Sequence, residues 1–172
     1  MKKKKPFTIY IITKNLNTMK TAIKNQLLEE LDRKINQYAY NNKLFSGGCC
    51  YAAYVLTKYL KQLGVKYRIT LFQQADILNE TNFHKAINGW GVAHVAVEVR
   101  YKRRKCYIGT CDGIYRSFEW SGCSYKVRSY RGTNPEVLLD AYKNNIWNWM
   151  YDKHCNGPLM RDIKKIAEKY MK

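Results

Sequence analysis

The chain has 172 residues, a mass of 20.3 kDa and a net charge of +18 at pH 7. Apolar residues make up 46% of it and aromatic residues 14%, which excludes a largely disordered protein in spite of the charge. The longest uncharged apolar run, at residues 7–12, is far shorter than the ~20 residues that a membrane-spanning helix needs, so we expect no membrane span.

Apolar periodicity divides the chain into alternating helical and extended segments. The predicted elements are a strand at 7–13, a helix from 17 or 18 to about 40, a helix at 51–63, a strand at 65–72, a short helix with a loop within 73–88, a strand at 92–99, a partner strand at 105–110, one or two strands within 115–130, a helix from 135 to about 149, and a helix from 157–158 to 170. Helices come first, then an antiparallel meander, then helices again, which indicates the α+β class. We expect one domain, with a core at about 46–130, an N-terminal strand and helix at 7–40, and C-terminal helices at 134–171.

The N-terminal residues and the cysteines indicate the cellular compartment. Residues 1–12 imitate the basic and apolar parts of a secretory signal, but no small-residue cleavage site follows, so we interpret them as a basic tail before a strand. The six cysteines lack the spacing of a small disulfide framework. We therefore expect a reducing cytoplasm, in a bacterium or, for a bacteriophage product, in its host.

The net charge predicts attraction to polyanions at low salt. The competing explanation is an AT-rich codon bias, because 22 lysines, 15 tyrosines and 14 asparagines accompany only 9 arginines. The densest cluster of cations is a predicted hairpin turn, which is either a phosphate clamp or a solvated tip. Its members are Arg100, Lys102, Arg103, Arg104 and Lys105.

A cysteine pair at the start of the second helix is the first candidate for chemistry. Cys49 and Cys50 follow Gly47 and Gly48, where free backbone N–H groups and the helix dipole favour a thiolate. The same N–H groups can hold an oxyanion, and glycine lets a substrate approach closely. The alternative is that both cysteines are small buried apolar residues.

His94 provides a second element, on the face of a valine-rich strand opposite the valines. With a turn at 102–104, pairing places His94 opposite Asp112, whose carboxylate would orient the imidazole. A register shifted by two residues brings Thr110 opposite His94 instead. The glycines at 109 and 113 allow a bulge, which makes Asp112 the weakest member.

The runs 47–68, 94–99 and 107–113 together resemble the nucleophile helix, histidine strand and acid strand of the transglutaminase-like and bacterial papain-like cysteine peptidases. The resemblance covers about residues 46–114. It implies a helix packed on an antiparallel sheet, flanked by N- and C-terminal helices, and a Cys49–His94–Asp112 triad.

The sequence departs from the pattern of these families at two points. Relatives place the acid nearer to positions 109 or 110, which are Gly109 and Thr110 here. The glycine spacing favours Cys49 as nucleophile, whereas a Gly-x-Cys-aromatic-Ala alignment favours Cys50. We assign Cys49.

Other candidate sites are weaker. Cys106, Cys111, Cys123, His154 and Cys155 lack the paired spacing of a zinc site, so we expect no metal. The tryptophans at 147 and 149 are interpreted as the apolar face of a helix.

The sequence thus predicts a cysteine-dependent enzyme that cleaves or transfers an amide, peptide or isopeptide bond of a protein or peptide substrate through a thioester, without a cofactor. The alternative is an inactive protein of the same fold that binds nucleic acid or an acidic protein through its basic surface.

Overall fold

A long buried helix lies against a four-stranded antiparallel sheet in a computed structural model of the chain. The structure describes residues 21–42, 48–74, 82–88, 92–109, 114, 125–144 and 157–171. Its helices in these ranges are α1 (Thr21–Asn42), α2 (Cys49–Gln62), α3 (Phe83–Asn88), α4 (Glu136–Asn144) and α5 (Pro158–Tyr170). Its strands are β1 (Tyr67–Gln74), β2 (Val92–Tyr101), β3 (Arg104–Ile108) and β4 (Tyr125–Tyr130). The α+β class is confirmed.

Helix α2 is apolar on nearly every side, as expected for a helix in the centre of a core. It packs against β2 and β1 on one side and against α4 and α5 on another. Thr57 is fully buried, but its hydroxyl donates to the Ala53 carbonyl at 2.7 Å. Gly64 ends the helix with a φ of +66°, as its predicted position after the helix requires.

The strand order in the sheet is β3-β2-β1-β4, with every neighbouring pair antiparallel. The predicted meander is therefore correct for the first three strands and wrong for the fourth, which returns to pair with β1. Because this pairing spans a long stretch of sequence, local patterning did not predict it.

The two faces of the sheet differ in chemistry. Val95, Val97 and Val99 point into the core that α2 occupies, as the alternation of β2 predicted. The other face holds a separate apolar cluster of Phe72, Ala96 and Tyr107.

Glu98 lies on this second face and is only 8% exposed. Its carboxylate contacts Arg68 at 3.5 Å and Lys105 at 3.3 Å and accepts a hydrogen bond from the Ser129 hydroxyl at 2.7 Å. These partners offset the cost of burying its charge and tie β1, β3 and β4 to β2.

The β2–β3 hairpin corrects the predicted turn. Tyr101 pairs with Arg104 rather than with Lys105, so the loop contains two residues instead of three. Lys102 and Arg103 both have positive φ, at 46° and 64°, as a type I′ turn requires. The register is therefore one residue away from the predicted one, and the predicted pairing of His94 with Asp112 is wrong in its premise.

Several sequence predictions lie outside the described residues. They are the strand at 7–13, the start of the first helix, the tryptophans at 147 and 149, and the residues 110–113. The final helix is confirmed, with Pro158 in its first turn. None of the described helices has the length and hydropathy of a membrane span.

Gly109 follows β3 and is enclosed by two helices. Its N–H donates to the Asp32 carboxylate of α1 at 3.1 Å, and its φ is +78°. A Cβ atom built on Gly109 would lie 2.6 Å from Cδ1 of Leu56, which is a fully buried residue of α2. Gly109 is thus fixed between α1 and α2.

We expect Gly109→Ala to lower the free energy of unfolding by about 2–4 kcal/mol, since it adds an overlap with Leu56 to the cost of a positive φ. Gly132→Ala is the matched control, because Gly132 has a φ of +66° but no atom within 4 Å of its Cβ position. It should cost about 1 kcal/mol. Urea unfolding of both variants measures the difference, and equal losses would contradict the close packing.

Asp32 is 4% exposed, and burial raises its pKa to about 6, while hydrogen bonds from Gly109 and Asn36 act in the opposite direction. A pKa above the unfolded value of 3.8 means that the fold prefers the protonated acid. This contribution is complete below about pH 4 and is lost as the pH rises to about 6, an effect of about 3 kcal/mol.

We therefore expect Asp32→Asn to remove a loss of stability that the parent shows between about pH 4 and pH 7. The variant's amide can still accept from Gly109, and its NH₂ can donate to the Asn36 Oδ1 atom, which has no partner among the described residues. Unfolding free energies at several pH values provide the measurement, with exposed Asp140→Asn as the control. If the parent and Asp32→Asn have parallel pH profiles, Asp32 is not the responsible group.

Candidate active site

Cys49 is the first residue of α2, as the sequence predicted. The first hydrogen bond of the helix joins the Ala52 N–H to the Gly48 carbonyl at 3.0 Å, so the N–H groups of residues 49–51 precede the helical ladder. Gly48 has no side chain with which to cap them. Its φ of −77° is ordinary, so a glycine here provides space and not an unusual backbone conformation.

His94 lies near the start of β2, beside an irregularity that the sequence did not reveal. Phe72 pairs with His94, but the next residue, Gln73, pairs with Val92, which leaves Ala93 as an extra residue in β2. Such a bulge changes the direction of neighbouring side chains. The His94 ring is half-buried and lies 5.7 Å from the Phe72 ring, measured between centroids.

The structure brings Cys49 and His94 together. The Cys49 sulfur is hydrogen-bonded to the His94 side chain and to the backbone N–H of Val95. Cys49 and Cys50 are both partly exposed, whereas Cys106 on β3 is 3% exposed. The cysteine pair is therefore half-buried at the point where α2 meets β2.

The two adjacent thiols have opposite acidities. The hydrogen bond from the Cys50 thiol, the hydrogen bond and charge of His94, and the Val95 N–H together hold the pKa of Cys49 well below its usual range, against the effect of burial. The same interaction with Cys49, together with burial, raises the pKa of Cys50 well above its usual range. These opposite pKa shifts favour Cys49 as the thiolate of the pair and Cys50 as the hydrogen-bond donor.

This arrangement has the components of nucleophilic catalysis: a thiol with a lowered pKa, a neighbouring imidazole that can carry a proton, and N–H groups that precede the hydrogen-bonded ladder of a helix. The donor role of Cys50 and the contact with Val95 were not predicted from the sequence. The donor role of Cys50 depends on which thiol the imidazole faces, and the Val95 contact depends on the bulge at Ala93.

The predicted acid is not among the described residues. Asp112 and Thr110 both lie within 110–113. The described pairing of β2 with β3 ends at Val97 and Ile108. The Asp32 carboxylate accepts a hydrogen bond from the N–H of Gly109, the residue before Thr110.

The role of Asp32 was not predicted, although its position in the sequence offered a clue. It lies four residues after Leu28 and three before Ile35, within the apolar face of α1. An acidic residue in such a stripe indicates a buried partner.

The cations of the predicted phosphate clamp lie at the opposite end of β2. Arg100, Lys102, Arg103, Arg104 and Lys105 are all exposed. Six residues of extended chain separate His94 from Arg100, a distance of roughly 20 Å. The hairpin is thus remote from the cysteine pair.

Within the described ranges, no three histidine, cysteine, aspartate or glutamate side chains form a group that could hold a metal ion. The cysteines at 111, 123 and 155 and the histidine at 154 are outside those ranges.

Compared with protein-family models, curated proteins and solved structures, the chain has no match. Its function is therefore inferred from the contacts described above.

We expect the alkylation rate of Cys49 by iodoacetamide to become independent of pH at a lower pH than that of free cysteine, because the thiolate is stabilised. His94→Gln and Cys50→Ala should each move the midpoint upward, by at least about one pH unit for the loss of the imidazole. Rates by mass spectrometry of the Cys49 peptide give the profile.

Cys106→Ser is the matched control, since it removes a thiol that does not contact the pair, and it should leave the midpoint unchanged. A Cys49 profile identical to that of free cysteine in the parent and both variants would contradict the assigned contacts.

Proposed function

We propose that the chain is a cysteine-dependent acyl-transfer enzyme with Cys49 as nucleophile and His94 as general base and acid. The observation that carries this proposal is the hydrogen bond between His94 and the Cys49 sulfur at the start of α2. The packing of that helix on an antiparallel sheet whose strand β2 carries His94 supports a papain-like or transglutaminase-like core.

In the first half of the reaction, the Cys49 thiolate attacks the carbonyl carbon of an amide. The carbonyl oxygen takes up the negative charge, and the N–H groups of the first turn of α2 are placed to stabilise it. His94 gives a proton to the departing nitrogen as the C–N bond breaks. The products of this half are an amine and a thioester on Cys49.

In the second half, His94 takes a proton from water, whose oxygen attacks the thioester carbonyl. The C–S bond breaks, the carboxylic acid leaves, and the Cys49 thiolate is restored beside a protonated His94. An amine in place of the water would give transfer, but hydrolysis is proposed because no feature of the described residues forms a site for an acceptor amine.

Cys50 has a supporting role in this scheme. Its raised pKa keeps the thiol protonated, so that it donates to Cys49 and does not compete with it as a nucleophile. Asp112, with Thr110 as the alternative, is proposed as the group that orients His94 on the family resemblance alone, because the strand pairing that also suggested it assumed a longer turn than the one observed. The substrate class is a protein or peptide.

A purely structural role for the cysteine pair fits the structure less well. Cys106 shows the environment of a structural thiol in this fold, with 3% exposure and no place in the pair. Cys49 and Cys50 are half-buried at a helix start, and Cys49 contacts a histidine. A core cysteine requires neither feature.

The test uses p-nitrophenyl acetate as a generic acyl donor. We expect a burst of p-nitrophenolate with one acetyl group on Cys49, followed by slow hydrolysis. Cys49→Ala should abolish the burst, and His94→Gln should slow acetylation by about a hundredfold or more, because it removes general acid–base catalysis.

Cys50→Ala separates the two thiols, since it should still be acetylated at Cys49. Cys106→Ser should behave like the parent. Acetylation at Cys50, or a burst that survives in Cys49→Ala, would overturn the assignment of the nucleophile.

A further inference from the structure

We propose that the tip of the β2–β3 hairpin binds the phosphate backbone of double-stranded nucleic acid. The cationic tip is defined here as Arg100, Lys102, Arg103, Arg104 and Lys105. This site is separate from the cysteine pair and does not depend on the acyl-transfer proposal.

The first observation is a concentration of positive charge that the described residues do not neutralise. Lys102 contacts Glu29 at 3.5 Å, and Lys105 contacts Glu98 at 3.3 Å. Arg100, Arg103 and Arg104 form no salt bridge with any described residue, although all three are exposed. Three guanidinium groups are thus left for an external anion.

The second observation is that like charges are placed directly beside each other. Arg100 pairs with Lys105 across the two strands, a position where opposite charges stabilise a sheet and like charges destabilise it. The charge of Arg100 also reaches Lys24 in α1, where burial and Arg100 together lower the lysine pKa. A bound polyanion would relieve both repulsions.

The third observation is that the tip is held in position in spite of backbone strain. Lys102 and Arg103 have left-handed backbone conformations, which asparagine and glycine adopt more readily than lysine and arginine. The Lys102 N–H donates to Asn25 Oδ1 of α1 at 3.1 Å, and the Tyr101 hydroxyl donates to the Glu29 carboxylate. The cations are therefore presented on a turn that α1 holds in a fixed position.

The chemistry of the tip favours a duplex over other anionic partners. Residues 102–105 contain no apolar side chain for insertion into a membrane or for the core of a protein interface. Single strands are bound by stacking on exposed aromatic rings, but Tyr107 is buried and Tyr101 lies half-buried under Lys102. What remains is phosphate recognition by arginine and lysine, without base readout.

The experiment measures the affinity for a 20-base-pair mixed-sequence DNA duplex by fluorescence anisotropy, at NaCl concentrations of about 50–200 mM. The test variant combines Arg100→Gln, Arg103→Gln and Arg104→Gln. Losing three phosphate contacts should reduce the slope of log K against log salt by about 2.7 and weaken binding at least about tenfold at 100 mM.

The matched control combines Lys85→Gln, Arg161→Gln and Lys165→Gln, which removes the same charge from exposed positions outside the hairpin. It should bind within about twofold of the parent. If the control loses as much affinity as the test variant, binding reflects net charge alone, and the proposal is wrong.

Three competing probes identify the partner. The proposal requires the duplex to bind more tightly than a single strand of equal length, polyglutamate or phosphatidylserine vesicles. A preference for any of these three would overturn it. Cys49→Ala should bind the duplex like the parent, so the outcome is independent of whether the acyl-transfer proposal holds.

Discussion

The burial of α2 is the constraint on which the rest of the structure depends. The sheet covers one side of this helix, and α4 and α5 cover another, so its axis cannot shift without opening the core. Since Cys49 is the first residue of α2, the packing of the whole helix determines where the sulfur lies. The contact with His94 thus results from the fold and not from a flexible loop.

Two adjacent cysteines acquire different chemistry from this single placement. Successive residues at a helix start point in different directions, so only Cys49 reaches His94 and Val95. Cys50 is left as a donor to its neighbour, so that two adjacent thiols have pKa values shifted in opposite directions. The proposed reaction uses Cys49 as the nucleophile, and Cys50 supports it as a donor.

The sequence predicted elements whose causes are local and failed where the causes are distant. The start of α2 at a glycine, the alternation of β2 and the proline at the start of α5 all follow from a few neighbouring residues. The fourth strand was misplaced because its partner β1 is far away in sequence. The hairpin was misjudged because Lys102 and Arg103 do not resemble the residues usual in a two-residue turn.

The candidate site was predicted to a similar extent. Cys49 was found because it follows two glycines at the start of a helix. His94 was found because it is an imidazole in a strand made mostly of valines. The bulge at Ala93 and the contact between Asp32 and Gly109 depend on the pairing of strands and helices, which composition and periodicity do not specify. Because the hairpin turn was predicted to be one residue too long, the expected pairing of Asp112 with His94 was based on the wrong register.

Strand β3 is an outer strand of the described sheet, and it begins with Arg104 and Lys105. Cations on an outer strand discourage a second copy from extending the sheet by adding its own strand there. The charge that would hold phosphate therefore also keeps molecules of this protein apart. Where bound phosphate neutralises that charge, neighbouring copies repel each other less. Two copies bound side by side on a nucleic acid would therefore approach each other at a lower electrostatic cost than two copies in free solution.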